Sequence, residues 1–166
     1  MGLSPSPVCM TTSALMSNKY RLAGISDVPQ LCELLTLLFA QEADFTPDIP
    51  RQMRGLEMIV SQPEVGRIFC ATEGNAILGM VSLLFTVSTA EGGRAAWLED
   101  MIVHPAHRGT GIGEGLLQTA IAGAKATGCT RITLLTDVTN HSAMRFYGRS
   151  GFTPSQMTPL RLSIPQ

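Results

Sequence analysis

The sequence carries almost no net charge and has few charged residues of either sign. Its 12 Lys and Arg residues nearly balance its 13 Asp and Glu residues, so the formal net charge is -1 over 166 residues. A chain with this balance has no overall basic field that would attract nucleic acid or an anionic membrane surface. We therefore expect a small molecule as the partner and no nucleic acid.

Metal-binding and disulfide patterns are also missing. The 4 cysteines are far apart, they form no Cys-x-x-Cys pair, and the 3 histidines lack metal-ligand spacing. Zinc sites and small disulfide frameworks need such clusters. We expect no metal, and we expect a cytoplasmic protein with reduced thiols at Cys9, Cys32, Cys70 and Cys129.

Long apolar runs are absent too. No stretch approaches the roughly 20 apolar residues of a membrane helix, so we expect a soluble protein without a membrane partner. The chain does have 45% hydrophobic residues, enough for the core of one domain. We expect a disordered tail rich in Ser, Pro and Thr over residues 1–18 and a single domain over residues 19–166.

The order of predicted elements indicates a mixed α/β domain. The stretch "KYRLAGIS" is typical of a strand, and Asp27 is placed to cap the helix "VPQLCELLTLLFAQ", which precedes a second helix in "RQMRGLEMIVSQP". Three strands follow in "GRIFCATEG", "NAILGMVSLLFTVS" and "RAAWLEDMIVHP". The short turns between them predict antiparallel pairing.

The second half of the chain predicts a crossover between parallel strands. The helix "GIGEGLLQTAIAGAKATG" separates the last of those three strands from a further strand in "RITLLTDV". Strands that are joined through a helix are parallel. A helix in "NHSAMRFYGRSGF" and a last strand in "PLRLSIP" complete the predicted order.

Three alternate glycines in "HRGTGIG" stand between a predicted strand and a predicted helix. A glycine turn at a helix N-terminus leaves backbone N–H groups available to an anion. Neither a P-loop nor a dinucleotide fingerprint fits, because Glu114 and Leu116 stand where those motifs need other residues. An anion-binding turn and a turn without a ligand both remain open on these residues alone.

The pattern Arg108-x-x-Gly111-x-Gly113 after "LEDMIVHP" resembles the acyl-coenzyme A pyrophosphate loop of the GNAT superfamily of N-acetyltransferases. The stretches "YRLAGISDVPQLCELL" and "NHSAMRFYGRSGF" are similar to that family's opening and late segments, so the resemblance covers roughly residues 19–163. The "LED" and "FYGRSGF" stretches look closest to the diamine acetyltransferase branch. The resemblance implies a GNAT-like α/β fold, with a mixed, mostly antiparallel central sheet and flanking helices.

Two adjacent carboxylates lie inside the predicted strand that precedes the glycines. Burying a charge is costly unless it is paired or solvated in a cleft, so at least one carboxylate should face a functional site. A side-chain period of two predicts one face with Trp97, Glu99, Met101 and Val103 and an opposite face with Leu98, Asp100 and Ile102.

Amine acetylation needs a base for the ammonium proton and an acid for the leaving thiolate. Glu99 is our candidate base, acting directly or through water, and the Glu of the matching "LED" has that role in the diamine branch. A structurally paired carboxylate is the alternative for Glu99. Asp100 is open between an acceptor contact and a buried capping role.

The helix in "NHSAMRFYGRSGF" places Tyr147 two turns after Asn140, near the same helix face. Tyr147 is our candidate acid for the thiolate, and a core tyrosine is the alternative. The resemblance implies that Asn140 contacts the cofactor, although an N-cap role explains it equally well.

The resemblance implies acetyl-CoA as the cofactor. In that arrangement the backbone of Met101 and Val103 pairs with the pantetheine arm, and the glycine loop surrounds the pyrophosphate. The implied cofactor contacts are Met101, Ile102, Val103, Arg108, Gly109, Thr110, Gly111, Ile112, Gly113, Glu114, Asn140, Ala143 and Tyr147.

We predict an N-acetyltransferase that moves the acetyl group directly from acetyl-CoA to a primary amine of a small, cationic acceptor. Carboxylates and an aromatic face suit an ammonium group, although a solvated acidic loop also explains the stretch "EADFTPD". The predicted acceptor residues are Glu42, Asp44, Phe45, Trp97, Glu99 and Asp100.

Three other functions stay open on the sequence. They are a protein or peptide N-acetyltransferase, a non-catalytic acyl-CoA-binding module, and a purely structural α/β domain. A homodimer is also open, because such folds commonly pair and the predicted last strand offers an edge.

Overall fold

The computed structural model of the protein describes residues 19–41 and 47–164. Within them, strands and helices form one mixed α/β unit, with two short 3-10 turns at Ile25–Asp27 and Pro105–His107. The elements are β1 (Lys19–Leu22), α1 (Val28–Phe39), α2 (Ile49–Ser61), β2 (Gly66–Glu73), β3 (Ala76–Ser88), β4 (Gly93–Val103), α3 (Ile112–Ala126), β5 (Cys129–Leu134) and α4 (His141–Arg149).

The five strands form one sheet in the order β1-β2-β3-β4-β5. Neighbours from β1 to β4 are antiparallel, and β4 pairs with β5 in parallel, as the crossover through α3 requires. Gly74 and Gly92 have positive φ angles in the two hairpin turns of this sheet. The predicted mixed, mostly antiparallel sheet with flanking helices is confirmed.

The core lies on both faces of the sheet. On one face, α3 packs Leu116, Leu117 and Ala120 against β2, β3 and β4, as its periodicity predicts. Glycine is needed at two places on α3, because the rings of Tyr20 and Phe69 occupy the space that side chains of Gly115 and Gly123 would fill. On the other face, α1 and α2 cover Ile68, Cys70, Ile77, Met80 and Ile102.

Asp27 precedes the first residue of α1, as predicted, but its side chain does not cap that helix. Its carboxylate instead accepts two hydrogen bonds from Arg21, at 2.6 and 2.9 Å, and one from the backbone N–H of Gly24. The hydrogen bond from Arg21 lowers the pKa of the buried Asp27 carboxyl below its ordinary value. This ion pair fixes β1 against the start of α1.

Two predictions about element bounds are wrong. Helix α2 begins at Ile49 rather than at Arg51, because the side chain of Asp48 caps it by accepting from the Arg51 N–H. The predicted last strand "PLRLSIP" does not form within the described residues, which run to 164. Its apolar residues are exposed. Alternation alone does not form a strand, because a strand also needs cross-strand packing against a partner. Residues 1–18, predicted as a disordered tail, lie outside the described residues.

Candidate active site

A β-bulge interrupts β4 at the two carboxylates. Met80 pairs with Ile102 and Ser82 pairs with Glu99, so β4 places two residues, Asp100 and Met101, opposite one residue of β3. Asp100 adopts a φ of 48°, the left-handed region that aspartate tolerates better than most residues. The buried Ser82 hydroxyl lies 2.9 Å from the Glu99 carbonyl and 3.2 Å from Asp100 Oδ2, which pins the bulge.

The bulge overturns the predicted faces of β4. Leu98 belongs to the core beneath α3, and Met101 and Val103 pack against that same core, although a strict period of two puts them on the opposite face. Ile102 belongs to the core beneath α1 and α2. The extra residue shifts the alternation by one position, so sequence alternation is valid only up to Glu99.

Asp100 lines a cavity of about 320 Å³ between β4 and the helices α1 and α2. The walls are mainly apolar, and the polar groups come from α2 and from the bulge. Leu98 faces the core beneath α3. Strand alternation before the bulge therefore places the exposed Glu99 on the opposite face of the sheet, where the cavity lies. The lining residues are Leu35, Phe39, Asp48, Arg51, Gln52, Gly55, Leu56, Ile59 and Asp100.

Only part of the predicted acceptor set lines this cavity. Asp100 does, whereas Trp97 and Glu99 are exposed and do not line it. Glu42, Asp44 and Phe45 lie outside the described residues. Sequence analysis missed Gln52, and the signal for it was a polar residue four positions before Leu56, on the buried side of α2.

Beyond Leu98 the β5 side of β4 is open. The parallel pairing ends at Leu98 with Leu134, and no strand of the described residues pairs with residues 99–103 on that side. The predicted pantetheine contacts Met101, Ile102 and Val103 lie in this open part. Its edge can therefore accept an extended ligand as an added strand.

The loop after β4 leads directly to the N-terminus of α3. Gly109 and Gly111 have φ angles of 76° and 85°, a region that favours glycine, and a Cβ at either position would meet no atom within 4 Å. Gly111 is the N-cap of α3, and no side chain caps the helix there. The first-turn amides, which include those of Ile112, Gly113 and Glu114, thus have no side-chain cap and are available to an anion.

Arg108 holds this loop in place. Its Nε donates to the Val103 carbonyl at 3.1 Å, and its guanidinium reaches Gln41 of the α1 end at 3.2 Å. The Thr110 hydroxyl donates to the His107 carbonyl at 2.6 Å. Both side chains therefore shape the predicted phosphate cradle from within the protein.

Helix α4 stands beside the same loop. A Cβ at Gly113 would lie 3.6 Å from Val103 and 3.7 Å from the Phe146 ring, so α4 packs close to the start of α3 and the end of β4. Asn140 caps α4 by accepting from the Ala143 N–H at 3.0 Å, which confirms the N-cap alternative for Asn140.

Tyr147 is half-buried between two aromatic rings, with ring centroids 5.1 Å from Phe146 and 5.7 Å from Phe152. Burial raises the pKa of its phenol, so the hydroxyl keeps its proton throughout the neutral range. It also packs against the core beneath α3. Tyr147 can therefore pack in the core and still offer a phenol proton.

In the part of the chain that the structure describes, no helix is long and apolar enough to cross a membrane. Residues 19–41 and 47–164 also contain no group of three or more His, Cys, Asp or Glu side chains placed to hold a metal ion.

Several known proteins are similar to this chain in sequence or in fold. The chain is 30% identical over 89 residues to glucosamine 6-phosphate N-acetyltransferase of Trypanosoma brucei brucei, which covers 53% of this chain and 58% of that one. A putative acetyltransferase from Agrobacterium tumefaciens is 27% identical with a TM-score of 0.72, covering 89% and 99%. A predicted acetyltransferase with acetyl-CoA from Clostridium acetobutylicum, 21% identical with a TM-score of 0.72 over 89% and 96%, shares the fold.

The chain spans less than two thirds of the curated relatives that it matches. The finer resemblance to the diamine branch stays a prediction. The sequence profile of the acetyltransferase (GNAT) family matches residues 29–152, most of the chain and all of the site residues described above. The protein therefore belongs to the acetyltransferase (GNAT) family.

Proposed function

We propose that the protein transfers an acetyl group from acetyl-CoA to the primary amine of a small, cationic acceptor. One observation carries this proposal: the open edge of β4 lies between a helix N-terminus without a side-chain cap and a bulge whose carboxylate lines a cavity. A ligand with phosphates at one end and a thioester at the other would have its reactive end beside that cavity.

The glycine loop and the β4 edge fit acetyl-CoA. Amides of residues 109–114 would hold the pyrophosphate, since the space above Gly109 and Gly111 is open and the helix dipole favours an anion. The backbone of Met101 and Val103 would pair with the amides of the pantetheine arm. The bound cofactor supplies the thioester carbonyl that the amine attacks.

The cavity suits a small acceptor. Its volume of about 320 Å³ accommodates a compact amine, and Asp100 offers a half-buried carboxylate to an ammonium group. Asp48 contributes a second carboxylate, held by Arg51 at 3.2 Å. The relative named glucosamine 6-phosphate N-acetyltransferase also favours a small amine over a peptide as the acceptor.

Glu99 would take the ammonium proton, through a water molecule because it is exposed and does not line the cavity. Its position in front of the pinned bulge keeps it next to Asp100, which binds the acceptor. The free amine nitrogen then forms a bond to the thioester carbon, the C–S bond breaks, and Tyr147 gives its proton to the leaving sulfur. The nitrogen loses its second proton to solvent as it becomes an amide, and the Tyr147 phenolate takes a proton back from solvent.

Replacing Tyr147 by Phe should slow acetyl transfer by about 10²-fold, because only the proton donor is lost. The retained ring keeps its contacts with Phe146 and Phe152, so the melting temperature should change little. Steady-state kinetics with calorimetric melting measures both quantities. Tyr20→Phe is the matched control for the loss of a phenol hydroxyl, since Tyr20 packs against the same core beneath α3 but belongs to β1, away from α4. Parental activity with a lowered melting temperature would assign the Tyr147 hydroxyl to structure alone.

A thiol-release screen tests the proposed function. Acetyl-CoA would be offered with spermidine, putrescine, thialysine-like amino acids, aminoglycosides and a lysine peptide. We expect release with small cationic amines. Activity on the peptide alone would favour a protein acetyltransferase, and acetyl-CoA binding without any release would favour a non-catalytic module.

Two copies should associate through the C-terminal segment of residues 153–164. Leu160, Leu162 and Ile164 are 95%, 87% and 80% exposed at alternate positions, and β5 is the edge strand of the sheet. Pairing of this segment with β5 of a second copy would cover both. Light scattering should find a dimer for the full chain and a monomer for a chain that ends at Phe152. The same oligomeric state for both chains, dimer or monomer, would contradict this pairing.

We also infer a cytoplasmic location from the buried thiols. Cys32 and Cys70 are free and buried, and burial raises the pKa of Cys70 to about 11. Burial keeps such thiols protonated and unreactive. Free thiols rather than disulfides are typical of a reducing compartment.

A further inference from the structure

Gln52 is the buried polar residue of the acceptor cavity. It lies on α2 with 7% of its surface exposed, on the same helix face as Leu56 and Ile59, and all three line the cavity. A glutamine amide in such surroundings needs hydrogen-bond partners for both of its ends.

Only one end of that amide has partners. The Cys32 thiol lies 3.3 Å and the Thr36 hydroxyl 3.1 Å from Oε1, and both can donate to it. These contacts orient the amide, so that Nε2 is turned away from α1. Nε2 is buried and has no hydrogen-bond partner among the described residues.

A buried N–H group without a protein partner needs an acceptor inside the cavity. The helices do not require this arrangement, because each donor has another acceptor: the Thr36 hydroxyl is 2.9 Å from the Cys32 carbonyl, and the Cys32 thiol is 3.8 Å from the Ile49 carbonyl. The N–H group at the cavity wall is therefore available to a bound molecule that accepts its hydrogen bond.

We propose that Gln52 Nε2 donates a hydrogen bond to an oxygen of the acceptor, and thereby selects amines that also carry a hydroxyl, ether or carbonyl oxygen. This inference rests on the proposed acetyl transfer to a small amine. A protonated polyamine has only donors and leaves Nε2 unpaired. An oxygen-bearing amine pairs with both groups of the cavity, since its ammonium contacts the Asp100 carboxylate and its oxygen accepts from Gln52 Nε2.

Matched acceptors separate these possibilities. Cadaverine is compared with its ether isostere, in which oxygen replaces the central methylene, and cyclohexylamine is compared with glucosamine. A site with a donor for a substrate oxygen discriminates against the analogue that lacks it, so kcat/KM should favour at least one oxygen-bearing partner by about 10- to 100-fold. Equal kcat/KM within both pairs would overturn the role of Gln52 and leave acetyl transfer intact. No thiol release from any amine would overturn the proposed function, and this inference with it.

The variant Gln52→Met keeps the length of the side chain and removes the unpaired donor. We expect the oxygen preference to disappear and the melting temperature to stay equal or rise, because the buried N–H is gone while Cys32 and Thr36 keep acceptors. A preference that survives in Gln52→Met would overturn the inference. So would an equal loss of kcat/KM on both members of each pair.

Gln30→Met is the control. The Gln30 amide uses both ends, donating to the Asn75 carbonyl at 3.1 Å and accepting from the Ile77 N–H at 3.0 Å. Its loss should lower the melting temperature and leave the oxygen preference unchanged. A melting temperature that falls for Gln30→Met but not for Gln52→Met distinguishes a structural amide from a ligand-directed one.

Discussion

The Gly111→Val variant should fold and lose acetyl-CoA binding. Gly111 has a φ of 85° at the N-cap of α3, and a valine there is strained by roughly 1–3 kcal/mol. Its branched side chain would also occupy the open space above the first-turn amides, where we place the pyrophosphate. Titration calorimetry with acetyl-CoA measures the loss directly.

Gly128→Val is the matched control for strain. Gly128 follows the other end of α3 with a φ of 75°, and a Cβ there also meets no atom within 4 Å. Both variants should melt at similarly lowered temperatures, and only Gly111→Val should fail to bind. Binding by Gly111→Val as tight as that of the parent protein would show that the pyrophosphate lies elsewhere.

Glu99→Gln should lower kcat by about 10²–10⁴-fold, the usual contribution of a general base. The amide is nearly the same size but cannot take the ammonium proton at neutral pH. Glu99 is exposed and is not among the residues that we place on acetyl-CoA, so the dissociation constant of acetyl-CoA should stay unchanged. The kcat and that constant are measured on the same preparation.

Asp100→Asn separates acceptor binding from proton transfer. Asparagine tolerates the left-handed φ of 48° at this position, so the bulge should persist. Loss of the carboxylate in the cavity should mainly raise KM for a cationic acceptor. Unchanged turnover of Glu99→Gln between about pH 6 and pH 9 would remove Glu99 from the mechanism, and Asp100 would become the candidate base.

Local chemistry made the glycine turn, the helix after it and the N-cap of α4 predictable. The positive φ angles of Gly109 and Gly111 need glycine, and the apolar period of α3 marks the helix that follows. The N-cap at Asn140 is equally local, because the acceptor and the N–H that it binds are three residues apart. Such features depend on neighbours in sequence, so the sequence alone contains them.

The β4 bulge and the cavity beside it depend on contacts between residues that are distant in sequence. The bulge exists because Ser82 on another strand holds Glu99 and Asp100, and an alternation rule for one strand cannot include it. The unpaired amide of Gln52 depends on side chains of α1, 16 and 20 residues away. The last predicted strand failed for the same reason, since the alternation of Leu160, Leu162 and Ile164 contains no information about a distant strand that would pair with them.

Mass spectrometry of the acceptor would detect acetyl transfer itself. The parent protein would be incubated with acetyl-CoA that carries a deuterated acetyl group and with an oxygen-bearing small amine, while the released thiol is followed. We expect the labelled acetyl group on the amine nitrogen, in step with thiol release, and far less of this product with Glu99→Gln. Tight binding of acetyl-CoA without any labelled amine would exclude acetyl transfer to such amines and leave an acyl-CoA-binding module.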